Sequence, residues 1–196
     1  MEPGVAILIK RADISLAHAV EDRDFSFLVE AFHEPAFDMP AAQWPGTSVP
    51  AYRKDYRLAH PESEPAGEGS DVVFLAWDDH VPIGRAMISR NWNNYALVDD
   101  IAVDTAYRGS GVGRLLMDAC VAWGRNEGLA GIMLETQNNN IAACRFYERY
   151  GFELGGVDRL LYRGLDPQSR EVALLWYLRF DRDFRQGAAS DAAKRS

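Results

Sequence analysis

The sequence predicts an α/β (α+β) fold, and three observations carry that prediction. Its first half holds short β-rich runs separated by tight turns, the mark of neighbouring antiparallel strands. At Val112 the apolar spacing changes to a helical period. Beyond that point a strand, a helix and a further strand follow one another, which sets helices against a sheet.

In chain order, "VAILIKR" (5–11) reads as an opening strand, and "DISLAHAVEDRDFSFLVEAF" (13–32) has helical spacing. "HEPAFDMPAAQWPGTSVPAYRKDY" (33–56) is rich in proline and aromatics without a lasting period, so irregular structure or short helices are expected there. "HPESEPAGEGSD" (60–71) is polar, acidic and broken by Pro and Gly, a solvated loop. "DVVFLAWD" (71–78) and "PIGRAMISRN" (82–91) read as a hairpin turning at "DHVP", and "YALVDDIAV" (95–103) as the next strand. Val112, Leu115, Leu116, Ala119, Cys120 and Trp123 keep the i, i+3, i+4 rhythm of a helix with one buried face. "GIMLETQ" (131–137) is strand-like, "NIAACRFYERY" (140–150) is helical until Gly151, and "EVALLWYLRF" (171–180) is a last strand.

The chain has 196 residues, enough for one domain with a sizeable core, expected over 1–186 with a flexible tail over 187–196. No apolar run approaches the length of a membrane span, and the N-terminus lacks the basic leader and cleavage site of a signal peptide. A cytoplasmic protein without a membrane partner is expected. Cys120 and Cys144 both fall among apolar residues of helices, which favours buried thiols in a reducing compartment. His18, His33, His60 and His80 are scattered, so no metal site is expected.

The net charge of −8 argues against nucleic acid, whose phosphates need a basic surface. It suits a cationic small-molecule partner, though solubility alone would explain it equally well.

"RGSGVG" (108–113) stands between a strand and an amphipathic helix. It is no P-loop, because the Gly-Lys-Ser/Thr ending is missing. It is no dinucleotide fingerprint either, because the third glycine would fall on Arg114 or Leu116. What remains is a glycine turn leading into a helix N-terminus. Its amides can cradle a pyrophosphate, or it can simply start the helix.

"RGSGVG" resembles the R-x-x-G-x-G loop of the GNAT acetyltransferase superfamily, which binds acetyl-coenzyme A. "NIAACRFYERYGF" (140–152) resembles that family's N-x-x-A-x-x-x-Y-x-x-x-G-F signature. Within the superfamily, "YRKDY" (52–56), "WNNYALVDDIAV" (92–103), "LETQNNNIAACRFYERYGFELGGVD" (134–158) and "EVALLWY" (171–177) are similar to streptothricin acetyltransferases. These acetylate the β-lysine part of a cationic antibiotic and so give resistance.

The resemblance implies a mixed, mostly antiparallel sheet of about seven strands flanked by helices. Strands 95–103 and 131–137 would splay to admit the pantetheine arm, pairing it with the backbone of Ile101, Ala102 and Val103. One amide there would support the oxyanion. Arg108, Gly109, Ser110, Gly111, Val112 and Gly113 would hold the pyrophosphate, and Asn140 would reach the arm. The role implied for Tyr147 is to protonate the departing thiolate or to hydrogen-bond it.

A lysine-like amine has a pKa of about 10.4, so its proton must be removed before attack. Asp99 and Asp100 are candidates for anchoring the amine or relaying that proton through water. In a regular strand they would face opposite sides. Glu135 is a further candidate. Trp92, Tyr95, Tyr162 and Trp176 offer aromatic walls for a cation or, equally, core packing. "EVALLWYLRF" has three readings: a core strand, the edge of a homodimer, or both. Direct transfer without an acyl-enzyme is expected, because no nucleophile arrangement is recognisable. The rival acceptors are a polyamine, a small metabolite or a protein N-terminus, and a non-catalytic binder is the rival class.

Overall fold

The computed structural model describes residues 6–59 and 72–180, so the expected loop at 60–71 and tail at 187–196 lie outside the described residues. In chain order the first strands are β1 (Leu8–Ala12), β2 (Phe27–His33) and β3 (Gly46–Lys54), followed by the one-turn helix α1 (Tyr56–Ala59). Next come β4 (Val72–Asp78), β5 (Val81–Arg90), β6 (Ala96–Val103) and helix α2 (Val112–Asn126). The chain closes with β7 (Gly131–Gln137), helix α3 (Ile141–Tyr150), β8 (Glu153–Asp158) and β9 (Ala173–Arg179).

Seven strands form one sheet in the order β1-β4-β5-β6-β7-β9-β8, and β2 with β3 makes a separate hairpin. Within the large sheet β6 and β7 run parallel and the other neighbours antiparallel. This is the mixed, mostly antiparallel sheet expected from the sequence. β4 and β5 meet through Asp79 and His80, since Asp78 already pairs with Val81. Asp79 takes the left-handed conformation, φ 53°, which short polar residues tolerate.

Helices α2 and α3 cover one face. Leu116, Met117, Cys120 and Trp123 of α2 and Cys144 and Tyr147 of α3 pack there with Ile88, Val98, Ile132, Leu134 and Trp176. Both cysteines are free and buried, as expected. Helix α3 stops at Gly151, whose φ of 115° lets its amide turn back to the Tyr147 and Glu148 carbonyls. On the other face, Ala17 and Val20 of a 3-10 segment (Ile14–Val20), together with Phe25, pack on Val73, Leu75 and Met87.

Three expectations need correction. The helix over 13–32 shrinks to that 3-10 segment, and residues 27–33 are strand β2. Its apolar residues fit either period over so short a run, and pairing with β3 decides between them. The expectation of irregular structure or short helices over 33–56 holds for 34–45, where a 3-10 turn forms at Ala41–Gln43, but gives way to β3 over 46–54. Pro50 is tolerated there because it falls in the register shift between the Val29↔Tyr52 and Ala31↔Ser48 pairs. Strand β8 was not foreseen. Its Gly155 is dictated by close approach, since a Cβ there would lie 2.4 Å from the Tyr177 ring.

Candidate active site

The site begins where the sheet comes apart. β6 and β7 pair only at Ala96↔Ile132, Leu97↔Met133 and Val98↔Leu134. Beyond Val98 the two strands diverge, so the backbone edge of β6 that faces β7 is available to an inserted extended chain. At the point of divergence β6 is bulged: Val98 pairs with Ile88 and Asp100 with Met87, leaving Asp99 as the extra residue. Val98 and Ile101 both pack on the α2 side although they are three residues apart. Asp99 and Asp100 therefore share the opposite face, where strict alternation would have separated them.

A cleft of about 520 Å³ opens along this split. Ile101, Ala102 and Val103 form its floor, and Gly109, Gly111 and Gly113 its outer wall. Gly109 and Gly111 have φ of +80° and +94°, and a Cβ on either would meet nothing within 4 Å. Backbone conformation, not crowding, selects glycine there. The Leu115 amide donates to the Gly111 carbonyl as α2 begins, so the amides of Val112, Gly113 and Arg114 precede that bond at the helix's positive end. A diphosphate fits this cradle, and an extended pantetheine arm fits the unpaired edge of β6.

The rest of the glycine stretch serves the fold. Arg108 donates to the carbonyls of Val103 (3.1 Å), Ser26 (2.8 Å) and Phe25 (2.8 Å), which ties the loop to the hairpin. Arg108 also lines the cleft, and these three bonds use three of the five N–H groups of its guanidinium. Ser110 bonds the Tyr107 carbonyl through its hydroxyl, and the Val112 side chain is buried.

Helix α3 supplies the facing wall through Asn140, Ala142, Ala143, Phe146 and Tyr147. Asn140 caps the helix: its Oδ1 accepts from the Ala143 amide at 3.2 Å, while its Nδ2 donates to Tyr56 Oη at 3.3 Å. Tyr147 is buried, and that burial pushes its phenol far above the ordinary tyrosine range. It is a neutral hydrogen-bond donor at physiological pH.

Sequence reasoning gave no chemical role to the hairpin side of the cleft, which holds Phe25, Phe27, Asp55, Tyr56 and Arg57. Arg57 binds Asp55 through two nitrogens, at 3.0 and 2.6 Å, and holds the Asp55 carboxyl below its usual range. The quoted "YRKDY" was the available signal, since it ends at Tyr56.

Of the candidate acidic residues, Asp100 lines the cleft and is bonded by Arg85 Nε at 2.7 Å. Asp99 lies outside the lining and accepts from the Ser89 hydroxyl at 3.1 Å. Glu135 also lies outside the lining; it extends from β7 on the face opposite Leu134, and Tyr162 donates to it at 2.8 Å. Partial desolvation raises the Glu135 carboxyl above the usual range, although the residue keeps contact with solvent.

The aromatic candidates do not converge. Trp92 is 92% exposed in the β5–β6 turn, and Tyr95 packs edge-on against Tyr177 at 5.3 Å. Trp176 is buried between Trp44 and Tyr147, at centroid distances of 6.1 and 6.2 Å. Tyr162 stays near the divergence through Glu135. Among the described residues no group of His, Cys, Asp and Glu could hold a metal ion.

Comparison with known proteins follows the same lines. A model described as the acetyltransferase (GNAT) family matches residues 29–152. Streptothricin acetyltransferase A of Bacillus subtilis is 40% identical over 129 residues, 66% of this chain and 74% of its own length. Streptothricin acetyltransferase of Escherichia coli is 35% identical over 130 residues, 66% of this chain and 72% of its own. Among solved structures, a Bacillus anthracis protein assigned as a streptothricin acetyltransferase, in complex with acetyl coenzyme A, is 37% identical. It superposes with a TM-score of 0.76 over 89% of this chain and 100% of that one. Nourseothricin acetyltransferase is 27% identical, with a TM-score of 0.71 over 89% of this chain and 98% of its own. Parted strands, glycine cradle, capped helix and family match agree: the chain belongs to the GNAT family and is an acetyl-CoA-dependent acetyltransferase.

Proposed function

We propose that the chain acetylates an amine on the β-lysine part of streptothricin-type antibiotics and so confers resistance to them. The observation that carries this reading is the likeness to streptothricin and nourseothricin acetyltransferases over 89% of the chain. The net charge of −8 and the carboxylates gathered where β6 and β7 part suit a cationic acceptor.

Acetyl-CoA supplies the activated acyl group as a thioester. The chain's residues supply position, charge and proton handling. The glycine-loop amides hold the diphosphate, and the free edge of β6 aligns the arm so that the reacting carbonyl lies at the Asp99–Asp100 bulge. A backbone amide of that edge donates to the carbonyl oxygen as negative charge develops on it.

Glu135 takes the proton from the ammonium. Asp100 is ion-paired with Arg85, whereas Asp99 and Glu135 accept from the neutral hydroxyls of Ser89 and Tyr162, and Glu135 has a raised proton affinity. A base closer to neutrality accepts the amine proton with less loss of driving force. Tyr147 donates a hydrogen bond to the departing sulfur. A phenol held so far above a thiol's pKa of about 8.5 stabilises the thiolate by hydrogen bonding and does not surrender its proton outright.

Attack is direct. Cys120 and Cys144 are buried and have thiols pushed up to about 12, so neither serves as an acyl carrier.

The test is acetyl transfer to a streptothricin, a polyamine and an N-terminal peptide measured in parallel. Efficient transfer to the streptothricin is expected. Transfer confined to the polyamine or the peptide would overturn the substrate assignment.

A further inference from the structure

Five arginines line the cleft: Arg57, Arg85, Arg108, Arg114 and Arg149. Three of them are committed to the protein. Arg57 is bound by Asp55, Arg85 by Asp100 and the Ala17 carbonyl, and Arg108 by three backbone carbonyls.

Arg114 and Arg149 differ. Among the described residues neither joins an ion pair. Arg114 stands in the first turn of α2, directly after the glycine cradle, and its guanidinium lies 5.3 Å from the centre of the Tyr150 ring. Asp118, one helical turn further on, is occupied by the Tyr150 hydroxyl at 2.5 Å. Arg149 is in the last turn of α3 and reaches the same cleft from the opposite wall.

In a chain of net charge −8, two cations without an ion-pair partner among the described residues thus line the cleft from facing helices. The loop amides suffice for a diphosphate. The arginines add forked guanidinium donors beyond those amides, groups whose charge and shape suit a phosphomonoester dianion.

We propose that Arg114 and Arg149 clamp the 3′-phosphate on the ribose of coenzyme A, apart from the glycine-loop grip on the diphosphate, so that the enzyme selects donors carrying that phosphate. The inference rests on the acetyl-CoA reading of the cleft.

Calorimetric titration of the full chain with CoA and with dephospho-CoA, which lacks only the 3′-phosphate, tests it. The wild type should bind CoA about five- to thirtyfold more tightly at low salt, a range that allows for the exposure of both side chains. The preference should shrink as salt rises. Arg114→Gln with Arg149→Gln should abolish it, lowering dephospho-CoA affinity far less than CoA affinity and leaving the melting temperature unchanged. Equal wild-type affinity for the two ligands would overturn the clamp, as would variants that weaken both ligands alike. Failure of the wild type to bind either ligand would instead overturn the acetyl-CoA reading beneath it.

Discussion

Replacing Asp100 with alanine tests whether this carboxylate supports the fold or performs chemistry. The Arg85 side chain is 5% exposed and that of Asp100 26% exposed, and they meet at 2.7 Å. Removing the carboxylate leaves the guanidinium with the Ala17 carbonyl at 3.0 Å and the Phe25 ring, 5.9 Å away at its centre. Breaking a fully buried pair costs roughly 3–5 kcal/mol. Here the cleft lets water reach the vacated position, so Asp100→Ala should cost about 2–3 kcal/mol. For a chain of this size that lowers Tm by roughly 4–12 °C. Arg85→Met should cost less, about 1–2 kcal/mol, because water in the cleft solvates the exposed carboxylate left behind. Arg85→Met with Asp100→Ala should cost less than the two single changes together, by more than about 1 kcal/mol. Urea and thermal melts read the stabilities, and turnover is measured well below the transition. A variant that melts like the wild type yet turns over slowly would refute the reasoning. So would strict additivity in the double variant.

Tyr147→Phe should lower kcat about ten- to a hundredfold with little change in CoA affinity, read by steady-state kinetics beside calorimetry. Glu135 must be ionised to accept a proton, so kcat/KM should fall on the acid side of a pKa raised above the ordinary carboxylate range; Glu135→Gln should remove that limb from the pH–rate profile. The same shift acts on stability. The folded chain binds more protons between the unfolded and the raised pKa, so stability falls as pH rises through that window, and melts of Glu135→Gln should lose this slope. Gly111→Ala should cost about 1–2 kcal/mol in melts through its φ of +94° alone, because its Cβ enters open space; a larger loss would point to contacts the structure does not contain. Cys120 and Cys144, with thiols pushed up to about 12, should resist a disulfide reagent in the native protein and react fully in denaturant.

The elements around the cradle were legible because their signals are local. Gly111 and Gly151 sit at left-handed positions that bracket α2 and α3, and Asn140 caps α3 through its own amide. The hairpin was not legible. Phe27–His33 carries apolar residues compatible with either period, and its strand partner lies some twenty residues downstream. Strand β8 was hidden by Gly155 and Gly156, which weaken a strand signal although Tyr177 leaves no room for a side chain at Gly155.

The site shows the same division. Ile101 to Val103, Gly109, Gly111, Gly113, Asn140 and Tyr147 were named from motifs, and they line one cleft. The motif could not reveal that the Arg108 guanidinium is taken by carbonyls of the N-terminal hairpin approach. Nor could spacing show that Trp92 stands in solvent while Trp176 lies in the core.

By itself, then, the sequence determined which segments turn, cap and coil near the coenzyme loop, since helix period, capping side chains and positive φ act within a few residues. Only the tertiary structure decided which charges confront one another. The bulge at Asp99 turns both aspartates to one face, Arg85 takes Asp100, and Glu135 keeps a neutral partner. These outcomes depend on strand register and on side chains remote in the sequence, and no local pattern encodes them.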